Sequence, residues 1–236
     1  MTDYKYFKYT NEILRGNGPR SYLEVSNDKF FLMTGTGQLF FTGISSFKID
    51  TPLKLKKIKT NLTEIIGKKV IELYPPIVKD IFIEKEKIYI SYIKKKGPNC
   101  YYNAIVEGKL NTRKIKFRNF FEMNECQIGD YLSQSGGMIS KYKLDSLLYT
   151  IGDYRSVLEN NHELPQSLKS LRGKIIKINK TTKKSEILSI GHRNPQGLFY
   201  DDINDVIISS EHGAFGGCEV NLNFSPLSKI KNFGWP

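Results

Sequence analysis

The residues best suited to chemistry lie in two loops between positions 191 and 217. In the first, Arg193 stands beside Asn194 and Pro195, and a guanidinium on a loop restrained by proline is well prepared to bind an anion or a carbonyl oxygen. The second, 211–217, is rich in glycine, which lets main-chain carbonyls approach a ligand or a cation. On chemistry alone, these loops could equally form a site or only connect strands.

Histidine and cysteine point less clearly to chemistry. We interpret His192 as a packing or hydrogen-bonding residue and His162 as a surface residue in a polar loop, while His212 falls in the glycine-rich loop. The three cysteines are widely spaced, at Cys100, Cys126 and Cys218. Their number and spacing match neither a zinc site nor a complete disulfide framework, so we predict free thiols.

A repeat indicates the elements that must position these loops. The same sequence pattern occurs four times: a polar turn is followed by a short strand of β-branched and aromatic residues. Equivalent points lie 58, 58 and 60 residues apart, at Lys29, Lys87, Asp145 and Asp205. Further strands are predicted at 38–42, 53–59, 102–106, 114–120, 173–178 and 186–190. A repeating unit of about 60 residues that contains four short strands is typical of a β-propeller blade.

We therefore predict an all-β chain, a single incomplete β-propeller domain over 1–236. Its blade-like units lie near 20–60, 75–120, 130–190 and 195–236. The sequence stops directly after a strand-like segment, and an open propeller would expose one apolar blade face. We expect a truncated chain that holds about four blades of a larger ring.

The charge pattern narrows the classes of partner. A formal charge of +12 is compatible with nucleic-acid binding, but the chain has 7 arginines against 29 lysines, and arginine is the better reader of bases and phosphates. The lysines of 54–59 alternate with apolar residues, as in a half-buried strand whose lysines lie on the solvent-exposed face. We predict no nucleic-acid partner, while lysine-based adhesion to an anionic surface stays open. The sequence has neither a transmembrane segment nor the apolar core of an export signal.

Several motifs together resemble the glucose/sorbosone dehydrogenase family. In chain order they are 134–137, 149–153, 171–175, 191–198, 211–213, 219–222 and 232–236. The resemblance is specific from about residue 130 onward and diffuse before it. It implies a soluble quinoprotein on a six-bladed propeller that oxidises an aldose or a similar alcohol with pyrroloquinoline quinone and calcium. A small sugar and an electron acceptor are the partners implied, and the location implied is periplasmic or extracellular.

The same resemblance implies roles for individual residues. Arg193 matches the arginine at the reactive carbonyls of the quinone, and Asn194 is its neighbour at the cofactor. The main-chain carbonyls of Gly213 and Ala214 match the two that hold calcium. Asp153 matches the carboxylate that orients the catalytic histidine.

The chain departs from the family at that catalytic base. Where the family has a histidine, this chain has Ser133, and a serine hydroxyl cannot take a proton from a sugar at neutral pH without a partner base. Ser133 therefore favours an alternative, a catalytically impaired propeller that acts as a carbohydrate or surface binding module.

Equivalent strands of a propeller surround one axis. We thus expect the four repeat strands to stand beside it, and the loops that carry Ser133, Asp153, Arg193 and Gly213 to meet at one end.

Overall fold

The computed structural model describes residues 21–48, 51–67, 77–98, 100–126, 132–155 and 163–236. These residues form 17 strands, one short helix, α1 (Leu62–Ile66), and two 3₁₀ turns, at Ile44–Ser46 and Leu132–Gln134. In the described ranges no helix combines the length and the apolar character needed to cross a membrane.

The strands follow the chain in this order: β1 (Ser21–Ser26), β2 (Lys29–Thr34), β3 (Leu39–Gly43), β4 (Lys56–Thr60), β5 (Val78–Glu84), β6 (Lys87–Gly97), β7 (Cys100–Lys109), β8 (Lys114–Ile115), β9 (Arg118–Glu122), β10 (Gly136–Tyr142), β11 (Ser146–Ile151), β12 (Lys174–Asn179), β13 (Ser185–Ile190), β14 (Pro195–Asp201), β15 (Val206–Glu211), β16 (Glu219–Phe224) and β17 (Lys231–Asn232).

They form four sheets, each built mainly from strands that are consecutive in the sequence. The strand orders are β1-β2-β3-β4-β8 for sheet 1, β5-β6-β7-β9 for sheet 2, β10-β11-β12-β13-β17 for sheet 3 and β14-β15-β16 for sheet 4. The two-residue strands β8 and β17 pair in parallel with β4 and β13. These meandering sheets are the blades of a β-propeller fold, as the repeat predicts.

The described chain divides into two compact units. The residues up to Ile90, together with Val106–Arg118, form unit 1, and Ser91–Ile105 with Asn119 onward form unit 2. In unit 1, β1 packs beside β5, and Phe31, Met33, Leu39 and Ile58 are buried. The lysines of β4 are exposed while Ile58 is buried, which confirms the predicted solvent-exposed face of this strand.

Unit 2 holds all the loops of chemical interest. Every residue of β11 is buried. Sheets 3 and 4 share an apolar core made of Tyr142, Leu148, Leu188, Tyr200 and Ile207. Because β10 also packs beside β14, the loops at neighbouring ends of these sheets are held in a fixed arrangement.

Two predictions need correction. The repeat strands exist, as β2, β6, β11 and β15, but each is the second strand of its sheet. The strands that pack side by side within each unit are the preceding edge strands, β1 with β5 and β10 with β14, so the inner position belongs to those edge strands.

The prediction of three free thiols is also wrong. Cys100 and Cys126 form a disulfide, and Cys218 is free and exposed. Cys100 begins β7 and Cys126 follows β9, its neighbour in sheet 2. Sequence spacing alone does not reveal that the two ends of these adjacent strands meet.

Candidate functional site

Strand pairing brings the two chemically rich loops together. Pro195 at the start of β14 lies opposite Glu211 at the end of β15, so the loop before β14 and the loop after β15 leave the same end of sheet 4. Gly136 at the start of β10 lies opposite Ile151 at the end of β11, which places Gln134 and Asp153 at one end of sheet 3.

Glu211 holds the loop before β14 through hydrogen bonds to its main chain. One carboxylate oxygen, Oε2, accepts the main-chain N–H groups of Arg193 at 2.7 Å and Asn194 at 3.3 Å. The other, Oε1, lies 2.9 Å from His192 Nδ1 and accepts a hydrogen bond from Asn221 Nδ2 at 2.7 Å. Burial disfavours the charged carboxylate, but the bond and charge of His192 and the two N–H donors outweigh it and lower the pKa of Glu211.

His192 is part of this support. Its ring is fully buried, Nε2 lies 2.8 Å from Ser189 Oγ, and the ring packs against Phe233 at a centroid distance of 4.9 Å. The structure therefore agrees with its interpretation as a packing and hydrogen-bonding residue. His162 lies outside the described residues.

The Arg193 side chain crosses from the first loop to the second. Nη1 donates to the carbonyl oxygens of His212 at 3.0 Å and Gly213 at 2.9 Å, and Cζ lies 5.3 Å from the centre of the Trp235 ring. With the Gln134 amide oriented to satisfy its neighbours, Nη2 donates to the amide oxygen at 3.0 Å. Within the described residues these bonds use three of the five guanidinium N–H donors, so donors remain for a ligand oxygen.

Asp153 supports the opposite side of Arg193. Its side chain is fully buried, and its own N–H donates to the Arg193 carbonyl at 2.8 Å. Oδ1 accepts from Arg155 N at 2.9 Å and from the Gln134 amide nitrogen at 3.2 Å, while Oδ2 accepts from Trp235 Nε1 at 2.8 Å. Burial raises the pKa of Asp153 despite these donors.

The side chain beside Asp153 is that of Gln134, one residue beyond the predicted Ser133. Gln134 joins Asp153 to Arg193 through its amide. Ser133 contributes its backbone to the turn Leu132–Gln134, and its side chain lies outside the described part of the chain. Gln134 opens the motif 134–137, so the sequence carries a signal for this residue, while the role predicted for Ser133 stays a prediction.

Asn194 serves the scaffold in this structure. It is buried, its side-chain oxygen accepts the N–H of Gly136 at 3.1 Å, and its carbonyl accepts the N–H of His212 at 3.2 Å. It thereby ties the start of β10 to both loops.

Gly213 and Ala214, the predicted calcium ligands, both have their carbonyl oxygens engaged. Gly213 accepts from Arg193, and Ala214 accepts the N–H of Gly217 at 3.0 Å. A side chain at Gly213 would collide with the Gly217 carbonyl, which explains the glycine. A carbonyl oxygen has two lone pairs, so each of these oxygens could also contact a cation.

A cavity of about 270 Å³ opens beside these groups. Arg193, Glu211 and Glu219 supply its charged lining, and Phe233 and Trp235 its aromatic lining. The aromatic residues are held in place because Phe233 N donates to the Ile190 carbonyl and Trp235 N to that of Gly191, each at 3.0 Å. In the part of the chain that the structure describes, no three or more His, Cys, Asp or Glu side chains cluster as metal ligands.

The blades and this site define a propeller protein with a cavity beside an arginine at the ends of its strands. Residues 73–236 match the glucose/sorbosone dehydrogenase family, and the chain belongs to that family.

Three relatives illustrate the match. The chain is 30% identical over 176 residues to "Uncharacterized protein slr1608" of Synechocystis sp., covering 66% of this chain and 40% of the relative. It is 26% identical over 172 residues to the aldose sugar dehydrogenase YliI of Escherichia coli K12, covering 66% and 43%. A crystal structure of a putative oxidoreductase (glucose dehydrogenase) from Thermus thermophilus superposes with a TM-score of 0.64 at 22% identity, covering 96% and 66%, and supports the fold. The chain spans about two fifths of the length of the two curated relatives.

Proposed function

We propose that this protein is a sugar dehydrogenase of the quinoprotein type, which oxidises an aldose or a similar alcohol with pyrroloquinoline quinone bound beside Arg193. The observation that carries the proposal is the guanidinium itself. It is fixed by Gln134 and two main-chain carbonyls, faces a cavity of about 270 Å³, and keeps donors for ligand oxygens. Its charge and the flat indole of Trp235 fit a planar, anionic cofactor.

When bound, the quinone would supply the two-electron acceptor for the sugar. The task of Arg193 would be to stabilise negative charge on the quinone oxygens, because guanidinium donors positioned in advance need little reorganisation. Glu211 fixes the main chain of Arg193 and Asn194, and Asp153 and Gln134 fix the position of the guanidinium.

Calcium would be held by the carbonyls of Gly213 and Ala214, with Glu219 as the exposed carboxylate lining the same cavity.

A second candidate function is a carbohydrate or surface binding module with impaired catalysis, and one observation favours it. The side chain between Asp153 and Arg193 is the amide of Gln134, which cannot take up a proton near neutral pH. The proposed oxidation would therefore be slow unless another group removes the proton.

We also propose a location outside the cytosol, in the periplasm or beyond the cell. The Cys100–Cys126 disulfide supports this location, because disulfides persist mainly in oxidising compartments. A small sugar and an electron acceptor are the proposed partners, with no nucleic acid.

The test is reconstitution of the 236-residue chain with pyrroloquinoline quinone and calcium, followed by glucose-dependent reduction of an artificial dye acceptor. We expect turnover that Arg193→Ala abolishes and that Arg113→Ala, an exposed arginine in unit 1, leaves unchanged. Quinone binding without turnover in the native chain would favour the binding module. Equal turnover by native chain and Arg193→Ala would contradict the proposed role of Arg193.

A further inference from the structure

We propose that the outer edge of sheet 1 is a docking surface for an anionic phospholipid membrane. The surface, called here the lysine edge, consists of Lys56, Lys57, Lys59, Arg113, Lys114 and Lys116, all of which are exposed. It belongs wholly to unit 1, whereas the residues that line the cavity beside Arg193 belong to unit 2.

Two paired strands build the lysine edge. β4 and β8 are the last two strands of sheet 1, and they run parallel with Lys59 opposite Lys114. The Lys59 N–H donates to the Arg113 carbonyl at 3.1 Å, which fixes the register of this pair. Consecutive basic residues on two adjacent strands therefore lie side by side.

The edge is firmly attached to the fold. Ile58 and Ile115 alternate with its lysines and are each only 1% exposed. The Asn61 side chain accepts the Phe117 N–H at 2.8 Å and donates to the Phe117 carbonyl at 3.1 Å, which holds the segment after β8. The charges consequently sit on a fixed surface rather than on a free tail.

The charge of this edge is not neutralised within the described part of unit 1. No ion pair there involves the six basic residues, while Glu107 pairs with Lys87 and Arg118, and Glu86 pairs with Lys109. Like charges directly opposite each other destabilise a sheet, so the Lys59–Lys114 pair opposes folding. A partner that supplies negative charge would relieve this repulsion.

The composition favours a membrane over a nucleic acid. Five of the six residues are lysines, which act as hydrated point charges, whereas bidentate recognition of phosphates and bases uses arginine. The Cys100–Cys126 disulfide favours an oxidising compartment outside the cytosol, where most nucleic acid is absent. A basic residue within a Debye length of an anionic bilayer strengthens binding about fivefold.

The experiment measures cosedimentation of the chain with vesicles of equimolar phosphatidylglycerol and phosphatidylcholine at low salt. The Lys59→Glu/Lys114→Glu variant is compared with Lys169→Glu/Lys229→Glu, which changes two exposed lysines of unit 2 and lowers the formal charge equally. We expect the edge variant to bind at least about 25-fold more weakly than the native chain, and the control less than about threefold more weakly. Added salt should weaken native binding.

Stability distinguishes lost binding from lost folding. Lys114→Glu alone places a carboxylate opposite Lys59, so its Tm should equal or exceed that of the native chain while membrane binding falls. Equal losses in the edge and control variants would overturn the proposal, because total charge would then explain binding. Failure of the native chain to bind the vesicles, or tighter binding to a DNA duplex, would overturn it as well.

Discussion

Arg193 lies between two buried carboxylates that differ in character. Glu211 binds the main chain beneath the arginine, and its pKa is lowered. Asp153 bonds to Gln134 and to the indole of Trp235, and its pKa is raised. Both are buried, so burial alone cannot explain the opposite directions.

The partners explain the difference. Glu211 faces an imidazole, which can share or carry positive charge, in addition to two main-chain N–H groups and an amide. The hydrogen-bond donors at Asp153 are a main-chain N–H, an amide and an indole, all neutral, and the nearby charge of Arg193 does not offset burial. Desolvation therefore prevails at Asp153 and hydrogen bonding at Glu211. The site thus has one carboxylate with a lowered pKa and one with a raised pKa.

The largest effect should come from giving Asp153 an imidazole partner. In the chain reconstituted with quinone and calcium, Gln134→His should raise sugar oxidation about 10² to 10⁴-fold, the usual contribution of a positioned general base. Steady-state dye reduction measures this, with Ser133→His as the matched control. A large increase in Ser133→His and none in Gln134→His would show that Ser133 is the base position after all.

The second effect is the loss of charge at Glu211. Glu211→Gln leaves His192 and the Arg193 and Asn194 N–H groups without their anionic acceptor, and should cost about 2 to 3 kcal/mol of unfolding free energy. Urea titration followed by Trp235 fluorescence measures it in unit 2. Glu219→Gln, an exposed neighbour, should change stability by less than about 0.5 kcal/mol. Similar losses in the two variants would remove Glu211 from its supporting role.

Asp153→Asn should lower the unfolding free energy less, by about 1 to 2 kcal/mol in the same titration. The side chain keeps an oxygen for one of its donors, and a neutral group avoids the desolvation of the carboxylate. A cost as large as that of Glu211→Gln would break the comparison between the two carboxylates.

The smallest effect is in the pH dependence, and its sign differs between the two sites. The Glu211 contribution is present above pH 4.5, its ordinary pKa, and is lost as the pH falls through its lowered folded value. The Asp153 contribution is present below 3.8 and is lost as the pH rises through its raised value. Acidification should therefore reduce the difference in unfolding free energy between the native chain and Glu211→Gln. It should increase the amount by which the native chain is more stable than Asp153→Asn. Equal slopes in the two urea series would contradict this.

The blades are predictable because their strands carry a regular local pattern. A polar turn followed by β-branched residues recurs in β2, β6, β11 and β15 whatever the rest of the chain does. The parallel pairing of β8 with β4 escapes prediction, because two residues carry no period and their partner lies far away in the sequence. The disulfide escapes for the same reason.

Arg193 and Asp153 could be found from the sequence, because both lie in motifs that resemble the family. The contact of Gln134 with Asp153 and Arg193 could not be predicted, since it depends on the packing of side chains from separate loops. Glu211 lies in the motif 211–213, but the family resemblance gives it no role. Its signal is a charged residue at a buried position of a largely buried strand, and the donors that it serves come from another loop.

The central claim is that Arg193, held between these carboxylates, binds the quinone. Trp235 is the only tryptophan of the chain and lines the cavity, so its fluorescence reports on that cavity alone. Titration with pyrroloquinoline quinone in the presence of calcium should quench it saturably, and Arg193→Ala should weaken binding at least about tenfold, the loss expected for a hydrogen bond to a charged group. Unchanged quenching in Arg193→Ala, or no saturable quenching in the native chain, would contradict the account.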